Sequence, residues 1–395
     1  MANIKEPSSA TTSGEVIATN YDLATQILLH LPATSVVNLK ITSKLWCLIS
    51  SDHYFITNHT VSHPPLLSGL FLHYLGRARA SSHEYATLQP INRSKYTPLQ
   101  FVGALNSLDL HILQSCNGLL LCSSNTNGYY ICNPTTLQRR LIPLPKEWLV
   151  FGPLALNLAF DPRKSPYYKV VRVKRLYGKQ PNYQVEVYSS ETGQWKVSGE
   201  AFVEAQEVNF KQGVYCKGAI HWLKPTSSCL YFDIDNECIK VTPEPPRAKQ
   251  FDVSERDYFG QSNGCLYLVV RRHLPNFTLF QMEDDYSGWF MKYFVDLDVL
   301  ASSFPSMARN FYNTPIFCRF YECNVLCVVD NNTGKGNNEN GQLNLVVSIP
   351  GEIVYFNPCT NVSNKIAQLM VCPFDESVWF RDFFVHEYVE TICAV

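Results

Sequence analysis

DLATQILLHLPATSVVNLKITSKLWCLISSDHYF, residues Asp22 to Phe55, is a run of short apolar periods separated by signals that end helices. Leu23, Ile27, Leu28 and Leu31 recur at the 3.6-residue spacing of one helix face, and Asp22 stands where it can cap the first turn. Pro32 ends that helix, because the residue before a proline is pushed out of the α region. Thr34 or Ser35 can cap a second helix with Val36, Val37, Leu39 and Ile41, and Ser43 can start a third with Leu45, Trp46, Leu48 and Ile49. Asp52 is placed to cap one more turn bearing Phe55 and Ile56. A unit of roughly 40 residues without disulfide or metal seldom buries enough surface to fold alone. About half of this one is apolar, more than a single small core hides, so part of it is expected to finish its burial against another protein. The pattern reads as a docking module; a small all-α domain with an ordinary core is the competing reading.

These residues resemble the F-box family. The family's run appears as Asp22-Leu23, Gln26-Ile27-Leu28, His30-Leu31-Pro32, Ala33-Thr34-Ser35, and the close Thr42-Ser43-Lys44-Leu45-Trp46-Cys47-Leu48-Ile49. The chain departs from it by lacking the Leu-Pro before the first acid and by carrying Gln26 for Glu, His30 for Arg and Thr42 for Val. The resemblance implies three to four short helices over 20–60 that dock a Skp-type adaptor and, through it, cullin and RING subunits. It also implies that Leu23, Ile27, Leu28, Leu31, Pro32, Val36, Leu39 and Trp46 pack against that adaptor or shape the surface that does.

Outward from this knot, residues 1–19 are polar, small and proline-interrupted, with no apolar core of a secretory signal, and are expected to be a disordered leader. His63-Pro64-Pro65 breaks any helix leaving the knot, which sets a boundary between Thr60 and Leu66. Residues 61–110 read as a transition with a strand over Gly69–Tyr74 and a polar loop from Arg77 to Tyr96. The 395 residues carry 46% hydrophobic and 17% charged residues, the balance of a well-packed chain of two or three domains. A net charge of −1 argues against a large nucleic-acid footprint, and no run of roughly 18 apolar residues offers a membrane span. Fourteen cysteines in a long chain without an export signal suit a reducing compartment, cytoplasm or nucleus, with the thiols acting as small buried hydrophobes.

From about 111 to 395 the composition turns to β, and its runs echo one another. A tight turn before a hydrophobic strand recurs at Cys116-Asn117-Gly118, Cys216-Lys217-Gly218 and Ser262-Asn263-Gly264. An apolar strand ending in a polar turn recurs at Asn133, Ser189, Asp233, Glu283 and Asn357. The first four of these lie about 45 to 55 residues apart, the period of a four-stranded blade of the kelch kind, so a ring of blades is expected. A pair of β-sandwiches is the competing architecture. Ser115–Cys122, Cys132-Asn133-Pro134-Thr135-Thr136, Leu144-Pro145, Leu158-Ala159-Phe160-Asp161-Pro162 and Tyr168-Lys169-Val170-Val171 are also similar to the F-box-associated domain of plant F-box proteins. That resemblance implies an irregular, kelch-related β-propeller that recruits a target. The low-complexity stretch 330–341 is expected to be a mobile loop of a late blade.

No phosphate-binding glycine loop, G-x-S-x-G elbow or H-E-x-x-H helix is present. Cys318, Cys323 and Cys327 lack zinc-site spacing and suit a buried strand, as does His221 beside Trp222. No catalytic residue, metal ligand or cofactor is therefore expected. The leading expectation is the substrate-recognition subunit of a Skp–cullin–F-box ubiquitin ligase, whose segment from about 66 folds without the first 60 residues. A propeller hydrolase or oxidase and a lectin-like binder are the alternatives from other classes.

Overall fold

The computed structural model describes residues 19–63, 66–74, 82–88, 96–125, 128–145, 155–176, 178, 180–225, 228–246, 256–271, 276–309, 320–331, 343–368 and 383–395. Four short helices come first: α1 (Tyr21–Leu29), α2 (Ala33–Leu39), α3 (Lys44–Ser51) and α4 (His53–Ser62). The cap of α1 is Asn20, whose Oδ1 accepts from Leu23 N at 3.1 Å, while Asp22 sits inside the first turn. Pro32, extended at φ −63° and ψ 155°, is itself the cap of α2, so neither Thr34 nor Ser35 caps it. Ser43 and Asp52 stand where the pattern expects them, and Asp52 Oδ1 accepts from Phe55 N at 3.0 Å. The last helix is ten residues, not one turn, and ends at Ser62. The leader lies outside the described residues up to position 18.

The inward face of α1 is Ala24 and Leu28, both without solvent exposure, while Leu23 and Ile27 face out. This corrects the expected face. Apolar residues cover more than one side of α1, and the small Ala24 serves the side on which α1 meets α3 and α4.

The rest is a six-bladed β-propeller. Four blades run in simple strand order: β3 to β6 (Leu110–Cys116, Leu119–Ser124, Tyr129–Asn133, Gln138–Leu141), β11 to β14 (Val214–Cys216, Ala219–Leu223, Cys229–Asp233, Cys238–Val241), β15 to β18 (Arg256–Ser262, Cys265–Arg271, Asn276–Met282, Trp289–Asp296) and β21 to β24 (Asn324–Asp330, Leu343–Ile349, Glu352–Phe356, Ser363–Gln368). A fifth, β7 to β10 (Ala155–Ala159, Lys169–Leu176, Asn182–Ser189, Gln194–Val203), follows the same order. The sixth joins the two ends of the chain: β25 (Phe383–Val389) pairs with β1 (Leu67–Tyr74), which pairs with β2 (Ser82–Thr87). The strands β25, β3, β7, β11, β15 and β21 run side by side in that order and line the middle of the ring. Outer strands are wetter: every residue of β6 is exposed. A small pair, β19 (Ala308–Arg309) with β20 (Phe320–Tyr321), follows α6 (Leu297–Ser303).

The sequence echoes fall at fixed places in this scheme. Gly118, Gly218 and Gly264 each turn a first strand into a second, at φ of 92°, 87° and 76°. Asn133, Ser189, Asp233, Glu283 and Asn357 each stand between a third strand and a fourth. At Asn133 and Asn357 a side-chain oxygen closes an Asx turn: Asn133 Oδ1 accepts from Thr135 N at 2.8 Å, and Asn357 Oδ1 from Cys359 N at 2.9 Å.

Two expectations for 61–110 are corrected. The ring begins at Leu67, and the segment read as polar loop contains β2. A thirteen-residue helix, α5 (Tyr96–Leu108), then lies against β2. The helix takes the place of a fourth strand, and covering an otherwise open sheet edge is the reason for it. Asn106 Oδ1 accepts from the His83 backbone amide at 3.1 Å, while Phe101 and Leu105 pack beneath.

Neighbouring blades are stitched by buried and half-buried side chains. Gln114 Nε2 donates to Gly213 O at 2.9 Å, and its Oε1 accepts from Leu158 N at 2.6 Å. Tyr267 donates to Asp330 Oδ2 at 2.6 Å, and Asn133 Nδ2 donates to Cys393 O at 2.7 Å. The helical unit is not separate from the ring. Ala24, Leu28, Val36, Ile49 and Phe55 belong to one continuous apolar cluster with Leu119, Leu158, Phe160 and Ile392. Of the stretch 330–341, residues 332–341 lie outside the described residues, between the paired strands β21 and β22. Cys318 does as well, whereas Cys323 and Cys327 are buried, Cys327 within β21. The twelve described cysteines are free thiols, eight of them buried.

Candidate functional site

Leu23 and Ile27 lie one turn apart on α1, so their side chains form one stripe, and they are 45% and 36% exposed. Ile41, Leu48, Tyr54 and Val61 are more exposed still, at 90%, 66%, 76% and 61%. With Tyr21, these make seven of the 21 large hydrophobic side chains exposed among the described residues, gathered on the first 62 positions. Scattered apolar residues on a surface need no explanation, but such a concentration on one small unit marks a surface made to be covered.

The eight residues expected to serve docking divide by depth. Leu23 and Ile27 are open to a partner. Leu31, Pro32, Leu39 and Trp46 are half-buried, and Leu31, Leu39 and Trp46 pack on the core with one side. Leu28 and Val36 are fully buried, so they shape the surface from beneath and touch no partner. Pattern reading cannot make that division, because a helix period gives the spacing of apolar residues without saying which flank the remaining helices cover.

Several features escaped the sequence reading. Leu48 carries no signal beyond its place in an apolar period, and Ile41 lies in the turn after α2 instead of on it. His59 of α4 holds the loop before Pro32: its Nε2 donates to Leu31 O at 2.8 Å, and burial pushes its pKa down. The imidazole is therefore neutral at ordinary pH and fixes the carbonyl at the turn between α1 and α2. Lys40, at the end of α2, is also pushed down by burial, with Cys393 among its neighbours. His53 at the start of α4 meets the ring of Tyr167 at 6.3 Å. Tyr167 belongs to the connection between β7 and β8, so the helical unit rests on the end of the propeller that carries the tight first-to-second-strand turns.

The exposed stripe holds no nucleophile–base pair, and what it offers chemically is apolar area on a fixed scaffold. No metal ligand was expected, yet His73, His83 and His111 come together in the ring, at spacings that match no metal motif. Among the described residues no helix is long and apolar enough to cross a membrane.

The chain is similar to several known proteins. The model of the F-box associated beta propeller domain matches residues 88–275. The F-box protein At5g07610 of Arabidopsis thaliana is 32% identical over 98% of this chain and 94% of its own length. The F-box/LRR-repeat/kelch-repeat protein At2g27520 of the same plant is 29% identical over 57% of this chain and 60% of its own. Among solved structures, that of YCF48 bound to D1 peptide covers 76% of this chain and 81% of its own at 8% identity, with a TM-score of 0.37.

Proposed function

Because this chain belongs to the plant F-box proteins that carry an F-box-associated β-propeller domain, we propose that it is the substrate-recognition subunit of a Skp–cullin–F-box ubiquitin ligase, acting in the cytoplasm or nucleus. The helical unit docks the Skp-type adaptor, which brings cullin and RING subunits, and the propeller holds a target protein. The observation that carries this reading is the exposed stripe of Leu23 and Ile27 at the very positions where the family motif stands. The chain makes and breaks no bond in this role. It raises the concentration of a target beside a ubiquitin-charged partner, which speeds transfer by proximity alone. Since the helical unit occupies the tight-turn end of the ring, the target is held at the opposite end.

The test is the full-length double variant Leu23→Glu/Ile27→Glu. Two carboxylates in a desolvated apolar contact should weaken adaptor co-purification at least tenfold, about 1.4 kcal/mol or more. Because both side chains face solvent, thermal stability should stay that of the unaltered chain. Co-purification at the original level by the folded double variant would overturn the proposal.

A further inference from the structure

At the seam of the ring, where the last strand meets the first, three imidazoles on three strands converge. His73 on β1 and His83 on β2 are direct cross-strand partners, with rings stacked 4.4 Å apart. His111 on β3 reaches them from the neighbouring blade, its ring 5.3 Å from that of His73 and 6.1 Å from that of His83. One ligating nitrogen from each lies within 4.8 Å of the other two. His73 and His83 are 6% and 4% exposed. In every ring one buried nitrogen has no hydrogen-bond partner among the described residues: Nε2 of His73, Nε2 of His83 and Nδ1 of His111.

Unpartnered buried nitrogens are costly, and three of them in one cluster of imidazoles call for a common partner. For His83 the tautomer is set locally. Asn106 Oδ1 accepts from the His83 backbone N–H at 3.1 Å, which identifies that atom as the oxygen. The same oxygen lies 3.1 Å from His83 Nδ1, so Nδ1 carries the proton and Nε2 presents its lone pair. An amide oxygen holding the far nitrogen of a ligating imidazole is the usual outer support of a metal ligand. Asp109 stands in a similar place for His111, its Oδ1 3.8 Å from Nε2.

We propose that His73, His83 and His111 bind a zinc-type divalent transition-metal ion that ties the seam blade to its neighbour. The donor set decides the class: three imidazoles suit zinc, copper or nickel, whereas calcium and magnesium take oxygen ligands. Three protein nitrogens leave a fourth position for water. Around such an ion neighbouring nitrogens stand about 3.3 Å apart and each lone pair lies in its own ring plane, so the rings of His73 and His83, stacked at 9° to each other, must tilt and their nitrogens draw together by up to about 1.5 Å on binding. The gain is mechanical. β1 and β2 open the propeller, β3 opens the next blade, and β1 and β3 lie on either side of β25 from the last blade's end.

Titration of the metal-free full-length protein with Co²⁺ tests this, because the ion reports its ligands in its spectrum. A single equivalent should bind with visible d–d bands and no sulfur charge-transfer band, which separates the site from exposed thiols such as Cys47 and Cys359. His83→Gln/His111→Gln should lose that binding at least 100-fold, and Asn106→Ala should weaken it about 10- to 100-fold. Equal uptake by the folded double variant, sulfur ligation in the wild-type spectrum, or no uptake at millimolar Co²⁺ would each overturn the proposal. If the double variant does not fold, ring ¹⁵N shifts of the wild-type histidines decide. Movement of the His73 and His83 Nε2 signals on adding Zn²⁺ supports the site, and unmoved signals overturn it.

Discussion

Gly118 carries two constraints that one substitution can separate. Its φ of 92° lies where L-residues are strained, and a Cβ built there would stand 2.6 Å from Thr391 Cγ2 and 2.7 Å from Val389 O. Gly264 turns the equivalent corner of another blade at φ 76°, with nothing within 4 Å of its Cβ position. Gly264→Ala should therefore cost backbone strain alone, about 1 kcal/mol, while Gly118→Ala should cost about 2–3 kcal/mol or more, because backbone must also move. Urea denaturation of the two variants measures the difference, and equal losses would mean that the C-terminal residues do not press on this turn. The need for glycine at both corners was legible in the repeated turn pattern. The closeness of Thr391 was not, since nothing local to Gly118 announces a contact with a residue near the other end of the chain. The docking residues divide in the same way. That Leu23, Ile27 and Leu28 share a helix follows from their spacing, but that Leu28 is buried while its neighbours are open depends on α3 and α4.

Among elements, the blades whose turns repeat were the readable ones, because each Asx turn and each glycine corner is a local device with local causes. The sixth blade has no such repeat. Its β2 is polar because it lies toward the rim, and in α5 Phe101, Val102, Leu105 and Leu108 keep a helical spacing, but a four-strand repeat gives no place for a helix whose purpose is to cover an edge. A buried histidine gives one blade a measurable pH dependence. His221 on β12 has no solvent exposure, its ring stacks with those of Tyr231 at 5.2 Å and Tyr286 at 5.4 Å, and Nδ1 stands 3.3 Å from Val214 O. Burial pushes its pKa down to about 4 from an ordinary value of 6.5. The unfolded chain takes up this proton first as pH falls, so the stability involved is complete above 6.5 and is lost between there and about 4. The loss should be on the order of 3 kcal/mol. His221→Phe lacks the titrating group, so its urea midpoint should fall less steeply over that window than that of the unaltered protein, although it starts lower for want of the bond to Val214. Parallel slopes would show that His221 protonates without cost, contrary to its packing.

At the scale of the whole molecule, the ring is closed by pairing its last strand to its first, and the docking helices stand on that closed ring instead of hanging from a tether. The sequence reading expects the segment from about 66 to fold unaided once the helices are removed. The shared cluster changes what removal does. Deleting residues 1–62 takes Leu28, Val36, Ile49 and Phe55 away from a core they form with Leu119, Phe160 and Ile392, and leaves apolar surface open at the tight-turn end. The truncated propeller should melt several degrees lower than the intact chain and bind a hydrophobic dye that the intact chain does not. An unchanged melting temperature would show that the two parts share no core. Truncation is therefore a blunt way to separate docking from recruitment, since a weakened ring can lose its target for reasons of stability alone. The double change Leu23→Glu/Ile27→Glu makes the cut cleanly, because it alters exposed side chains and leaves Ala24 and Leu28 in place. In cells, full-length protein with this change should hold the target without passing it on and so lengthen its half-life, whereas the unaltered protein should shorten it. If the double variant speeds loss of the target as well as the unaltered chain does, adaptor docking through the α1 stripe is not how this propeller reaches a ubiquitin ligase.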